Sequence, residues 1–198
     1  MPHLVPLLIR GINNLSDARY CAGMGADKLT FVLDPALPDH LDVKTVKELA
    51  GWVAGVELLG EFDQLSAPEI NAIAANCGLD AVLLHSFRTE AELAEIAPPV
   101  YMEVPLESVL AGGLAIASAT GIVVAMPGLV APETQEQLRA IGQQHPLWLG
   151  PGLEPALAQE LATGLPLAGL FFPSGNEVKP GLRDFDQLEA VFEALEVD

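Results

Sequence analysis

Five side chains able to exchange or stabilise a proton fall in or just beyond short apolar runs of this chain: Arg10, Asp34, Glu57, His85 and Glu103. Histidine is the residue type whose charge changes near neutral pH, and a carboxylate set beside His85, from Glu103, Glu57 or Asp34, would complete an acid–base pair. Arg10 is of another kind. Its guanidinium stays protonated in proteins, so it cannot act as a base, but it can contact an anion or pair with a carboxylate. Glu57 and Glu103 lie inside apolar runs, where a buried charge needs a partner, and one of them is expected to pair with Arg10.

A second group could hold an anion. Leu149-Gly150-Pro151-Gly152-Leu153 permits close backbone approach, and Pro173-Ser174-Gly175-Asn176 offers a hydroxyl and amides. The candidate anion contacts are therefore Gly150, Gly152, Leu153, Ser174, Gly175 and Asn176. Other chemistries find no footing. His3, His40 and His145 are scattered, and neither H-E-x-x-H nor paired C-x-x-C occurs, so no metal site is expected. G-x-S-x-G and Walker loops are missing, and a dinucleotide fingerprint starting at Gly150 lacks its later glycine. Hydrolase, kinase and dehydrogenase functions drop out, and no cofactor is expected.

The elements that must position these residues follow a rhythm. Apolar runs begin near Val5, Lys28, Val53, Asp80, Val100, Gly121, Pro146 and Ala168, at intervals of about 20 to 27 residues. Their cores (LVPLLI, KLTFVL, VAGVELL, AVLLH, VYMEV, GIVVAM, LWLG and GLFF) are too apolar on both faces for half-exposed antiparallel strands. Between them lie helical stretches. Thr89 with Glu92 forms a capping-box pattern ahead of Leu93 and Ile96, and Leu188, Val191, Phe192 and Leu195 make one apolar stripe after Asp184. Gly25 and Gly78 each stand two residues before an Asp, where a helix ends and a strand begins.

Eight βα units predict a closed (β/α)8 barrel, an α/β TIM barrel spanning 1–198 as a single domain. At 198 residues against about 250 in typical barrels, it must be compact, with short loops. The site of such a barrel sits at the C-terminal strand ends, and the loops after strands 7 and 8 are its common phosphate site. Those ends are expected at Arg10 and Asn13, Asp34, Glu57, His85, Glu103, Ala125 and Met126, Gly150 to Leu153, and Pro173 to Asn176.

Nine Lys plus Arg against 27 Asp plus Glu leave a formal charge of −18, which repels nucleic acid and anionic lipid. No leader-like start and no run of about 20 apolar residues occurs, so the expectation is a cytoplasmic protein without membrane or nucleic-acid partners. Cys21 and Cys77 lie on apolar helix faces and are expected to be buried, reduced thiols.

The order of segments resembles phosphoribosylanthranilate isomerases. LLIRGINNLSDARYCAGMGADKLTFVL is similar to that family's opening, with K-I-C-G-I on strand 1, a D-A helix, and G-A-D before strand 2. DAVLLHS is similar to V-Q-L-H-G, LGPGL to A-G-G-L, and PSGNEVKPGLRD to S-S-G-V-E followed by P-G-x-K-D. The resemblance implies a barrel isomerising an aminoaldose phosphate to an aminoketose in tryptophan biosynthesis. The Cys of K-I-C-G-I would serve as base and an Asp ending strand 6 as acid. Here those positions hold Arg10 and Ala125, neither of which can perform the transfer. The Lys of the strand 1 motif becomes Leu8, the Arg of P-K-S-x-R falls near Asp39, and Pro151 replaces a loop Gly, removing an amide donor. His85 matches the strand 4 His. The resemblance therefore implies a barrel that has lost the family reaction, a pseudoenzyme, and binds a small phosphorylated or anionic molecule with Arg10 as contact. A working isomerase using substituted groups, and a non-enzymatic interaction protein on the same scaffold, are the alternatives.

Overall fold

The computed structural model describes residues 2–112, 118–129, 131–179 and 182–197, with the backbone alone at 176–179 and 182–183. Eight parallel strands close on themselves in chain order: β1 (Leu7–Arg10), β2 (Lys28–Val32), β3 (Glu57–Phe62), β4 (Ala81–Leu84), β5 (Val100–Glu103), β6 (Gly121–Met126), β7 (Leu147–Pro151) and β8 (Gly169–Pro173). β8 pairs back onto β1, completing the ring. Helices α1 (Leu15–Gly23), α2 (Val43–Ala50), α3 (Ala67–Cys77), α4 (Glu90–Ala94), α5 (Leu106–Leu110), α6 (Pro132–Gly142), α7 (Pro155–Gly164) and α8 (Asp186–Leu195) alternate with the strands. This is a (β/α)8, or TIM, barrel. A short antiparallel pair, β9 (Asn176–Lys179) and β10 (Leu182–Asp184), stands between β8 and α8.

Strand periodicity divides the apolar residues into two cores. One set, including Leu7, Ile9, Leu29, Phe31, Val82 and Leu84, packs outward against the helices. The other, Leu8, Leu59, Ala81, Leu83, Tyr101, Val123, Trp148 and Phe171, fills the barrel. Lys28 and Glu57 stand side by side at the N-terminal end of β2 and β3 and form an ion pair, with the Lys28 ammonium near the Tyr101 and Trp148 rings.

Local signals account for the helix boundaries. Thr89 and Glu92 close a capping box on α4, Ser66 and Glu69 close one on α3, and Gly78 ends α3 in the left-handed conformation. The G-x-D segments have a further use. Asp27 accepts from the Leu7 N–H and Asp80 from the Leu58 N–H, each at 2.8 Å, so each carboxylate ties the strand it precedes to its neighbour. Cys21 and Cys77 are both buried, and burial pushes the Cys77 thiol up.

The third strand corrects an expectation. The run from Val53 predicts a strand over VAGVELL, yet β3 starts at Glu57 and continues to Phe62. Trp52 and Val53 still bond back to Leu49 and Ala50, and Gly55 adopts a φ of 81°, which breaks the extended chain. Strand 3 therefore shifts toward its C-terminal end. No helix among the described residues is long and apolar enough to cross a membrane.

Candidate functional site

The mouth of the barrel is built by continuing the interior rows. Two residues beyond Leu8, Leu59, Leu83, Tyr101 and Val123 come Arg10, Glu61, His85, Glu103 and Ala125, so alternation aims these side chains at the C-terminal opening. Four of the five form one polar cluster. Arg10 reaches Glu61 through two bonds, Nε to Oε1 at 3.1 Å and Nη2 to Oε2 at 2.6 Å. Its Nη1 lies 3.0 Å from Glu103 Oε2, and the guanidinium rests over the Phe171 ring at 5.4 Å.

Glu61 is the hub. Its side chain is 3% exposed, accepts from the Thr30 hydroxyl and lies 2.7 Å from His85 Nε2. Burial alone would push this carboxyl up. Hydrogen bonds from His85, Arg10 and Thr30, with the Arg10 charge, outweigh that and hold it at about 2. The same pairing raises the Arg10 pKa although burial pulls it down. An ionised Glu61 can only accept, so Nε2 of His85 carries the hydrogen directed at it. Arg10 Nη2 is 3.2 Å from that nitrogen, but both are donors and the contact is not a hydrogen bond. The other ring nitrogen, Nδ1, stands 3.4 Å from Glu103 Oε2.

Arg10, His85 and Glu103 come together, and Glu103 is one of the two carboxylates pairing with Arg10. Glu57 does not. It opens β3 at the opposite end of the barrel against Lys28, because the strand begins four residues later than its apolar run suggests. Asp34 lies at the mouth end, but its carboxylate accepts from the N–H groups of Ala36, Asp63, Gln64 and Leu65 at 2.7 to 3.1 Å. Burial raises its pKa and those four bonds lower it further, so it stays ionised as a clamp on two loops. Glu61 is the residue the sequence does not single out: a strand ending at Leu59 leaves it in a loop.

The loops after β7 and β8 are occupied by their own contacts. Leu153 N–H bonds to Pro151 O at 2.8 Å, and Gly150 precedes Pro151 in a cis peptide. A side chain at Gly150 would meet the Phe171 carbonyl at 1.9 Å, so close approach of β7 to β8 requires glycine there. Ser174 is buried, with N–H to Arg10 O at 2.9 Å and hydroxyl to Gly11 O at 3.0 Å. Gly152 and Gly175 flank this region, and Asn176 starts β9, its side chain lying outside the described residues. Beside these loops is a cavity of about 290 Å³ whose lining includes Pro151, Leu153 and Gly175 together with three carboxylates, Glu154, Asp184 and Asp186.

Two cavities open on the mouth. One of about 550 Å³ is lined by His85, Glu103, Leu106, Glu107, Ala125 and Met126, among others, and a smaller one of about 220 Å³ by Arg10, Asn13, Asp39 and Ser174. Asp39 has a φ of 58°, rare for a residue with a side chain. Among the described residues no group of three or more His, Cys, Asp or Glu is placed to hold a metal ion.

No protein-family model matches the chain. It is 30% identical to the N-(5'-phosphoribosyl)anthranilate isomerase of Acidithiobacillus ferrooxidans, over 93% of this chain and 94% of that one. It is 29% identical to that of Deinococcus radiodurans, over 96% of each. Among solved structures, phosphoribosyl anthranilate isomerase from Thermotoga maritima superposes with a TM-score of 0.80 at 21% identity, covering 96% of this chain and 98% of that one. The Thermus thermophilus protein gives 0.78 over the same shares.

Proposed function

The chain belongs to the N-(5'-phosphoribosyl)anthranilate isomerase family, and from that premise we propose that it is a member that no longer converts the family's aminoaldose to the aminoketose. The carrying observation is the state of Arg10. The resemblance puts it where the family's base stands, and it is bound by Glu61 on two atoms and by Glu103 on a third. A guanidinium cannot take up a proton, and this one is held further from doing so. At the position of the acid, Ala125 has only a methyl group to offer.

Charge bears on the ligand. The place of the β7 and β8 loops supports a small phosphorylated or anionic molecule, as such loops do in this fold. The charges around them weigh the other way. An anion approaching Arg10 meets Glu61 and Glu103, and one approaching Gly175 meets Asp184, Asp186 and Glu154. N-(5'-phosphoribosyl)anthranilate carries both a phosphate and a carboxylate. We therefore propose that the mouth receives a small uncharged or cationic molecule.

The test is direct. Purified protein mixed with N-(5'-phosphoribosyl)anthranilate is expected to leave it unconverted, and the gene is expected not to support growth of a tryptophan-requiring strain lacking the isomerase. Growth, or turnover that scales with protein concentration, would overturn the proposal.

A further inference from the structure

We propose that His85 is a general base in a rebuilt proton-transfer centre at this mouth, with Glu61 as its positioning residue, acting on an uncharged small molecule with an acidic C–H bond. The inference rests on the reading that the mouth remains a working site while the family reaction is gone.

Geometry supplies the argument. Glu61 Oε2 receives the Nε2 hydrogen of His85 at 2.7 Å, which orients the ring and leaves the lone pair of the neutral imidazole on Nδ1. Glu61 is itself fixed by Thr30 and by the two-bond grip of Arg10, so the ring rests on a buried, ionised support. That is the arrangement by which a carboxylate sets the tautomer of a catalytic histidine and stabilises the imidazolium formed on proton uptake. Nδ1 and Glu103 Oε2, 3.4 Å apart, then stand as two acceptors beside each other. A proton arriving on Nδ1 gives Glu103 a donor to receive from. Both residues line the cavity of about 550 Å³, and the His85 side chain is 25% exposed, so a substrate can reach it.

Net charge selects the substrate class. Arg10, Glu61 and Glu103 together carry one positive and two negative charges, which sum to −1 with the imidazole neutral and to zero once it takes the proton. The centre thus becomes less charged as it accepts a proton, and it disfavours an anionic substrate. In the reaction the C–H bond breaks, its proton passes to Nδ1, and its electron pair stays with the substrate and moves onto an electronegative atom.

A probe with this chemistry is 5-nitrobenzisoxazole. Its C3–H proton goes to the base, the C–H pair becomes the third carbon–nitrogen bond of a nitrile, and the N–O pair departs on oxygen as a coloured phenolate, with no co-reactant. Wild-type protein is expected to open the probe at least about 10-fold faster than His85→Gln or His85→Asn, each checked for native circular dichroism. Glu61→Gln is expected to lower kcat with KM unmoved, and Glu61→Asp to restore part of it, a split that general loosening of the mouth would not give. Equal rates for wild type and both His85 variants overturn the proposal, as does a rate lost only in Glu103→Gln, which would make Glu103 the base. Turnover of N-(5'-phosphoribosyl)anthranilate would overturn the reading beneath it and leave the His85 result standing.

Discussion

Arg10 and Glu61 bury opposite charges against each other, and this makes the pair more sensitive to losing one member than to losing both. Arg10→Ala leaves Glu61 desolvated and uncompensated, and is expected to lower unfolding stability by about 3–5 kcal/mol in urea titration. Arg10→Met combined with Glu61→Leu removes both charges at similar volume and should cost less than Arg10→Ala alone; a larger cost would mean that the ion pair itself contributes net stability. Acid gives an independent measure. Glu61 titrates at about 2 in the folded chain against an ordinary 4.5, a depressed carboxylate, so its contribution is complete above pH 4.5 and disappears as pH falls toward 2. At about 1.4 kcal/mol per pKa unit the contribution is on the order of 3 kcal/mol. Urea midpoints collected from pH 6 down to 2 should fall for the wild type across that window, and Glu61→Gln should show a flatter acid limb.

At the scale of elements, one glycine determines where a strand begins. Gly55 has a φ of 81° and nothing within 4 Å of where a side chain would start, so Gly55→Ala tests the backbone alone. The expected loss is about 1–2 kcal/mol by equilibrium unfolding, the cost of a left-handed residue. A neutral result would show that the turn can relax, and that β3 does not depend on it. The same residue explains what the sequence made legible. Eight strands, their order, the capping box at Thr89 and the apolar stripe of α8 follow from periodicity and local hydrogen bonding, which act over a few residues. The four-residue displacement of β3 does not, because Val53 and Val56 are as apolar as strand residues while Gly55 turns the chain between them. That displacement carries Glu57 to the N-terminal end of the barrel and brings Glu61 to the mouth. The sequence thus offered Glu57 or Glu103 as a partner for Arg10; Glu103 takes that place, Glu57 pairs with Lys28 instead, and Glu61 depended on strand register. Asp34 shows a second limit: its position at the mouth was legible, whereas its capture by the amides of Asp63, Gln64 and Leu65 depends on the β3–α3 loop folding back over it.

For the whole molecule the dominant quantity is the formal charge of −18, and it separates two kinds of anion effect. Self-repulsion among carboxylates opposes the compact state, and mobile ions weaken it. Raising NaCl from low salt to about 0.5 M shortens the screening length to a few ångströms and should raise Tm progressively, without a plateau at low concentration. A built phosphate site would act differently. It would stabilise the folded state by mass action, reaching most of its effect once phosphate exceeds its dissociation constant, with little further dependence on NaCl. The paired state of Arg10, the internal bonds of Ser174 and Leu153, and the carboxylates at Glu154, Asp184 and Asp186 predict the first behaviour alone. Millimolar phosphate at constant ionic strength is therefore expected to leave Tm where matched NaCl leaves it. A saturating rise of several degrees with phosphate, lost on Ser174→Ala, would instead establish an anion site between the β7 and β8 loops and return the phosphorylated ligand to first place.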